Sequence, residues 1–461
     1  MITALVRFAL AQRLLILLLA AALIAGGLWA FRMVPIDAFP DIAAPQVLVI
    51  VKAPGMAPAE VEQRITFPLE LELQGIPRQT VLRSTTKYAL SSIVVDFEDG
   101  TDIYWARQQV AERLAQVRDQ LPKGAEGGLG PITSPLGEIF MYRVAGKGYS
   151  NQELRGIQDW VIRPRLRTVD GVADVNSLGG EVRAFEVAPN PQALLRYGLG
   201  LDDIQTALEK NNRNAGGDRI NRGEQMLLVR TEGKLTGIDD IRNASVAVRD
   251  GRPLRIGDVA QVRVASLTRY GGVTADAQGE VTTGLVLLRR GANSRSTVDG
   301  VKREIEALKP MLPQGVEIIP FYDRTDLITS AVRTVQNALG EAVILVIVVL
   351  VVLLGNLRAA LTVALILPLS VLSTFILMYV LGISANLMSL GGLAIAIGML
   401  VDAAVVVVEN IHTQLSREPG ADRREVVLRA TRDVAMPVIS GILIIIMVFL
   451  PLFSLTGLEG K

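Results

Sequence analysis

Cysteine is absent from the 461 residues, and histidine occurs once, at position 412. No disulfide framework and no Cys/His zinc site can be assembled from such a chain. The missing cysteine does not reveal a compartment, because an oxidising space permits disulfides without requiring them. Aromatic residues reach only 5%, which argues against a large aromatic-lined pocket. Net charge is +1, so nothing points to nucleic acid or another polyanion as partner. No nucleophile motif, phosphate-binding loop or histidine-based site is found, so neither an enzyme nor a resident cofactor is expected.

What the chain has is apolar length. Half of its residues are hydrophobic and 20% are charged, and mean hydropathy is +0.38. Long charge-free runs alternate with ordinary globular sequence, the pattern of membrane helices around a water-exposed domain. Leu14 to Phe31 carries no charge and is flanked by Arg13 and Arg32, long enough for a span that needs ~20 apolar residues. A cleaved signal peptide usually has a shorter apolar core, and later spans favour a retained anchor. Ala342 to Leu357 is a second span. Ala359 to Val401 has no charged residue and is too long for one helix. The turn Leu381-Gly-Ile-Ser-Ala-Asn386 divides it into a third and a fourth. Val434 to Leu458 is a fifth.

Arg and Lys set orientation. Arg7 and Arg13, Arg358, and the group Arg417, Arg423, Arg424, Arg429 and Arg432 fall on one side if all five helices cross. That side reads as cytoplasmic. The domain between the first two spans then lies outside the cytoplasm, in the periplasm of a Gram-negative cell. An odd number of helices ending abruptly at Lys461 suggests part of a longer chain.

That domain reads as α+β. Gln46 to Ala53, Arg78 to Thr86 and Ser91 to Phe97 are strands by alternation. Ala57 to Leu73 and Ile103 to Leu121 are helices, the second N-capped by Thr101 or Asp102. With a further strand near Glu138 to Val144, the order is that of a split βαβ, ferredoxin-like unit. A second unit opens with that strand and continues through helix Asn151 to Thr168 and strand Val172 to Leu178. It resumes near Gly271 with strand Val281 to Leu288, helix Ser294 to Leu312 and strand Val316 to Tyr322. Residues 181–270 form an insertion, with a strand at Arg183 to Val187, a helix at Asp202 to Asn212, and β segments at Gln225 to Thr231 and Ser245 to Val248.

Asp402 is the most informative residue. It stands inside an apolar span, where a carboxylate costs at least ~2.5 kcal/mol on insertion scales and usually marks a proton or ion path. Glu409 follows seven residues later, on the same face and about 10 Å along the axis. That spacing suits a proton stepping along the membrane normal by groups that load and release it. A helix-pairing charge and an interfacial charge are the plainer alternatives. Gly391, Gly392 and Gly398 permit close helix packing. His412, one turn beyond Glu409, is read as interfacial. Glu138, where the chain passes between the two units, could line a divalent-ion route or be an edge-strand surface charge, with Met141 on the opposite face of the strand.

Taken in order, several segments resemble the heavy-metal branch of the resistance-nodulation-division (RND) efflux pumps. They are Val34-Pro-Ile-Asp-Ala-Phe-Pro-Asp41, Phe97-Glu-Asp-Gly-Thr-Asp102 with Tyr104-Trp-Ala-Arg107, Asn386-Leu-Met-Ser-Leu-Gly-Gly392, and Val401-Asp-Ala-Ala404 running to Val408-Glu-Asn410. The resemblance covers essentially the whole chain. It implies an α-helical polytopic inner-membrane protein whose α+β periplasmic domain is built from ferredoxin-like porter subdomains. The first porter subdomain would span residues 34–132. The second would span 133–180 and 271–330, split by a docking subdomain at 181–270. Membrane helices would occupy 1–33, 331–358, 359–381, 386–411 and 434–458, with a cytoplasmic loop at 412–433.

The resemblance further implies a homotrimer of subunits about twice this length, proton antiport, and assembly with a periplasmic adaptor and an outer-membrane channel. It puts Asp402 and Glu409 in the places of the family's relay acids. Two departures bear on the metal cargo. Pumps of divalent ions often carry another Asp six residues before the relay Asp, where this chain has Ala396. Copper(I) and silver pumps carry a Met ladder in the fourth helix, of which Met388 matches one rung while Leu400 and Val407 fill two others. Soft thioethers suit Cu(I), and carboxylates suit harder ions. The expected function is proton-driven heavy-metal efflux; an RND pump for organic compounds and a non-transporting membrane scaffold are the alternatives.

Overall fold

The computed structural model describes residues 2–35, 37, 42–223, 225–249, 251–277, 279–354 and 357–455. Three of the eight residues of Val34 to Asp41 that carry part of the resemblance are among them, Val34, Pro35 and Asp37; Ile36 and 38–41 lie outside.

The first sheet forms because its strands alternate cleanly. β1 (Gln46–Lys52) buries Val47, Val49 and Val51, and β3 (Leu90–Phe97) buries Ile93, Val95 and Phe97. With β2 (Gln79–Lys87) and β4 (Glu126–Leu129) the order is β2-β3-β1-β4, all antiparallel. One face is covered by residues 58–73 and by the helix Ile103–Val117, which Asp102 caps through a 2.8 Å bond from the Trp105 N–H. The fourth strand of this unit is therefore Glu126–Leu129, which corrects the reading that placed it at Glu138 to Val144. Its two glycines, with φ of 137° and 152°, carry no β signal. A Cβ on Gly127 would meet the Ile50 carbonyl at 2.1 Å, so only glycine lets this strand approach β1.

The second unit repeats the plan. β5 (Glu138–Gly146) and β6 (Val172–Leu178) precede the insertion, which is framed by a seven-residue antiparallel pair, β7 (Arg183–Pro189) with β12 (Ala260–Ser266). Within it are the hairpin β8 (Ala215–Arg222) and β9 (Gln225–Thr231), and the pair β10 (Ser245–Arg249) and β11 (Arg252–Arg255). β13 (Thr282–Leu288) and β14 (Val316–Asp323) complete a sheet of order β14-β5-β13-β6. Both units thus have the ferredoxin-like strand order expected from the sequence.

The first crossover helix of each unit contains a π turn, at Glu62–Thr66 and at Gln158–Ile162. The residues facing the sheets are Val61, Ile65, Leu69 and Leu73 in one, and Leu154, Gln158, Ile162 and Leu166 in the other, all buried. A strict spacing of four drifts about 40° per step around a regular α-helix. One wider turn absorbs most of that drift and keeps the four side chains on one face. Pro68 and Pro164 follow the two π turns, where the loosened ladder tolerates a residue without an N–H.

Four helices are long and apolar enough to cross a membrane among the described residues: Arg13–Met33, Ala359–Leu381, Met388–Arg417 and Arg423–Ser454. A short helix, Ile2–Ala11, precedes the first. Residues 342–354 of the expected span Ala342 to Leu357 are the distal part of a longer helix, Arg324–Leu354, which continues directly from β14, and Leu357 opens the next helix. The last span likewise begins earlier than expected, at Arg423, so only a short turn remains of the expected loop 412–433. No proline lies within either charged approach, so each helix extends beyond the apolar window that marked it. The first span packs on the Leu357–Leu381 helix through Gly27, whose missing side chain admits Leu372. Edge-on aromatic pairs Trp29–Tyr379 (4.8 Å) and Phe31–Phe375 (4.9 Å) extend the contact.

Candidate functional site: the carboxylate helix and its junction

The helix Leu387–Arg417 begins at a capping box. Asn386 Oδ1 accepts the N–H groups of Met388 (3.0 Å) and Ser389 (2.9 Å), and Ser389 Oγ accepts the Asn386 N–H at 2.8 Å. One face packs inward: Ile397 and Val401 join the buried membrane cluster, and Ala404, Val405 and Val408 lie against Ala360 and Val363. Asp402 and Glu409 fall on the side this packing leaves open, and both are exposed. Among the described residues neither carboxylate has a hydrogen-bond or ion-pair partner. The far end is fastened to the next helix by Asn410 donating to the Ala430 carbonyl (2.7 Å), Gln414 donating to Asp433 (3.1 Å), and a two-oxygen contact of Arg429 with Glu418 (2.6 Å). The carboxylates thus ride on a rigid helix fixed at both ends.

The glycines behave otherwise than expected. A Cβ at Gly391, Gly392 or Gly398 would meet nothing within 4 Å, whereas one at Gly27 would lie 2.5 Å from Leu372 Cβ. Close packing within this chain is made by Gly27. The three glycines share the carboxylate helix with an open face.

Met388 is 71% exposed in the first turn. It stands fourteen positions before Asp402, about 21 Å along the axis, so it is not brought to the carboxylates. Glu138 is the first residue of β5, exposed and in register with Leu287 of β13. Across Leu287 on the other side stands Asp174 of β6, held by Arg167 (3.1 Å) and Arg163 (3.4 Å). Met141, three residues on, is half-buried. Among the described residues no group of three or more His, Cys, Asp or Glu is placed to hold a metal ion. Glu138 and Met388 lie in different layers of the fold.

A feature the sequence reading left without a physical role is Asp37. Its carboxylate receives Arg324 Nε at 2.9 Å, and Arg324 is 5% exposed at the step from β14 into the membrane.

The family model described as AcrB/AcrD/AcrF matches residues 5–461. Protein HelA of Legionella pneumophila is 44% identical over 476 residues, covering 100% of this chain and 45% of HelA. The cobalt-zinc-cadmium resistance protein CzcA of Cupriavidus metallidurans is 42% identical over 473 residues, covering 99% of this chain and 44% of CzcA. A crystal structure of a heavy metal efflux pump superposes with a TM-score of 0.88 at 38% identity, covering 99% of this chain and 45% of that one. The chain therefore spans somewhat under half the length of the relatives it matches.

Proposed function

Since the chain belongs to the AcrB/AcrD/AcrF family, within its heavy-metal RND branch, we propose that it forms the amino-terminal part of a pump that exports heavy-metal cations in exchange for protons. The observation that carries this reading is the pair of carboxylates, Asp402 and Glu409, on one open face of an otherwise apolar span fastened at both ends. An ionisable residue at membrane depth is costly unless it faces a partner or a water path. Here the open face leaves both acids available to groups outside this chain. Asp402, deeper in the apolar stretch, takes up and releases the transported proton, and Glu409 passes it on towards the Arg-rich side.

The distribution of arginines supports an inner-membrane protein with residues 34–323 in the periplasm. There the two ferredoxin-like units act as porter subdomains and the 181–270 insertion as the docking subdomain. The working assembly is a homotrimer joined to a periplasmic adaptor and an outer-membrane channel. Glu138 and Met388 are the metal-contacting residues proposed in this half, at separate stages of the cation's path. Glu138 supplies hard carboxylate oxygen and Met388 a soft thioether.

The test is proton-gradient-driven uptake of Zn²⁺, Co²⁺ or Ag⁺ into inverted vesicles carrying the full-length protein. Asp402→Asn keeps shape and hydrogen bonding but cannot cycle a proton, and should lower flux by at least about a hundredfold at unchanged trimer yield. Glu409→Gln, nearer the aqueous side, should cost less. Parental flux in Asp402→Asn would show that the relay lies elsewhere.

A further inference from the structure

Arg324 is a buried charge at the point where the second porter sheet becomes a membrane helix. Such a group is retained only with partners. Its partners among the described residues come from two other parts of the chain. Asp37 belongs to the linker that leaves the first span, and the Leu136 carbonyl belongs to the linker between the two sheets. Asp37 is in turn bonded to the turn before the carboxylate helix. Its N–H donates to the Ala385 carbonyl at 2.9 Å, and the Ala385 N–H returns to the Pro35 carbonyl at 2.9 Å. Ala385 is fully buried, and the next residue, Asn386, is the helix cap. The same linker is held to the second sheet by Arg290, which donates to the Ala43 (2.7 Å) and Ala44 (2.8 Å) carbonyls. Beside Arg324, Asp323 is tied to Lys302 of the helix Ser294–Leu308 and accepts the Thr325 N–H at 2.8 Å.

The carboxylate helix is therefore linked to the porter sheets by a short and rigid series: helix, cap, two backbone hydrogen bonds, one ion pair. Each member is directional, and the guanidinium is planar with donors in fixed positions. A displacement of the helix start along or across its axis cannot be absorbed by side-chain rotation at Ala385. It is delivered to Asp37, and from Asp37 to the end of β14.

We propose that the Asp37–Arg324 ion pair is the joint that couples proton uptake on the carboxylate helix to movement of the porter subdomains, so that both are positioning residues for transport. This inference rests on the proton-exchange reading above. The joint bears no metal and no transported proton. Its loss leaves the relay intact and disconnects it.

The experiment measures proton flux and cation flux in the same proteoliposomes, with the full-length protein and whichever of Zn²⁺, Co²⁺ and Ag⁺ the parent exports. Asp37→Asn and Arg324→Gln should lower cation flux about tenfold or more while proton flux stays within about twofold of parental, the size of a typical coupling between sites. Protons moved per cation therefore rise. Asp37→Glu keeps the charge and should recover most of the parental ratio, and Arg324→Lys, which keeps the charge but not the planar fork, guards against loss of the fold and should recover part of it. Unchanged ratios in Asp37→Asn and Arg324→Gln, whether both fluxes persist or both fall together, would make the pair a structural staple and overturn the inference. Asp402→Asn run alongside separates the two claims. If it stops both fluxes while Asp37→Asn keeps the parental ratio, only the joint is wrong; if it pumps normally, the proton relay itself is wrong.

Discussion

Tyr142 donates its hydroxyl to Gln158 Oε1 at 3.0 Å, and neither side chain is reached by solvent. The bond joins β5 to the π turn of the crossover helix above it, and Gln158 continues to Ser177 Oγ of β6 at 3.3 Å. Gly284 of β13 makes room for the ring, since a Cβ there would lie 2.2 Å from Tyr142 Cζ.

Tyr142→Phe should keep the fold but leave Gln158 Oε1 buried without a donor, at a cost of about 1–3 kcal/mol. Burial pushes the Tyr142 hydroxyl well above its ordinary value. The unfolded chain ionises that group near pH 10 and the folded one does not. Its contribution to stability is thus complete below about pH 10 and is lost as pH rises further. Denaturant melts of the parent should show this alkaline decline, and the Phe variant should show less of it. Equal alkaline slopes would place the decline on other groups.

Gly27→Ala should destabilise the contact of the first span with the Leu357–Leu381 helix by about 1–3 kcal/mol, the usual cost of overpacking. A Cβ there would sit 2.5 Å from Leu372 Cβ, whereas one at the neighbouring Gly26 would find Ile376 Cδ1 at an ordinary 3.6 Å. Gly26→Ala is therefore the control, and thermal melting in detergent should separate the two. Leu372→Gly, which removes that Cβ, should partly restore the Gly27→Ala protein. Equal melting of both glycine variants would argue that the helices separate without cost.

Glu138→Gln should weaken export of Zn²⁺ or Co²⁺ more than that of Ag⁺. The carboxylate offers oxygen to a hard ion and little to silver, and its exposure at the head of β5 leaves it open to a passing cation. Resistance assays with each metal in a pump-deleted host give the comparison. Identical tolerance of mutant and parent to every metal would leave Glu138 as a surface charge.

Much of this architecture could be read from the chain. Period-two burial gave β1 and β3, and Val172–Leu178 matches its expected strand at both ends. The carboxylates stood out because charge is rare in an apolar span. Other elements gave no such signal. β4 contains two glycines in four residues, and its existence depends on a close approach to β1. The π turns did leave a trace, in the strict spacing of four and the two prolines, but that spacing also fits a plain helix over a few residues. The Asp37–Arg324 pair unites positions far apart in sequence, and no local pattern announces such a partner. The open face of the carboxylate helix is likewise a property of how the other helices pack.

The matched π turns give the two porter units a shared reading frame. Each crossover helix carries one residue more than its regular winding would need, and the surplus is placed before a proline in both. Removing a single residue from either stretch would restore ordinary winding and leave Leu69 and Leu73, or Ile162 and Leu166, on the sheet face, whereas removing two, or adding one, would rotate everything beyond by about 100° and swing them off it. Each of these two short segments thus tolerates the loss of one residue, at Gln63 or Asp159 for example, and no other change of length.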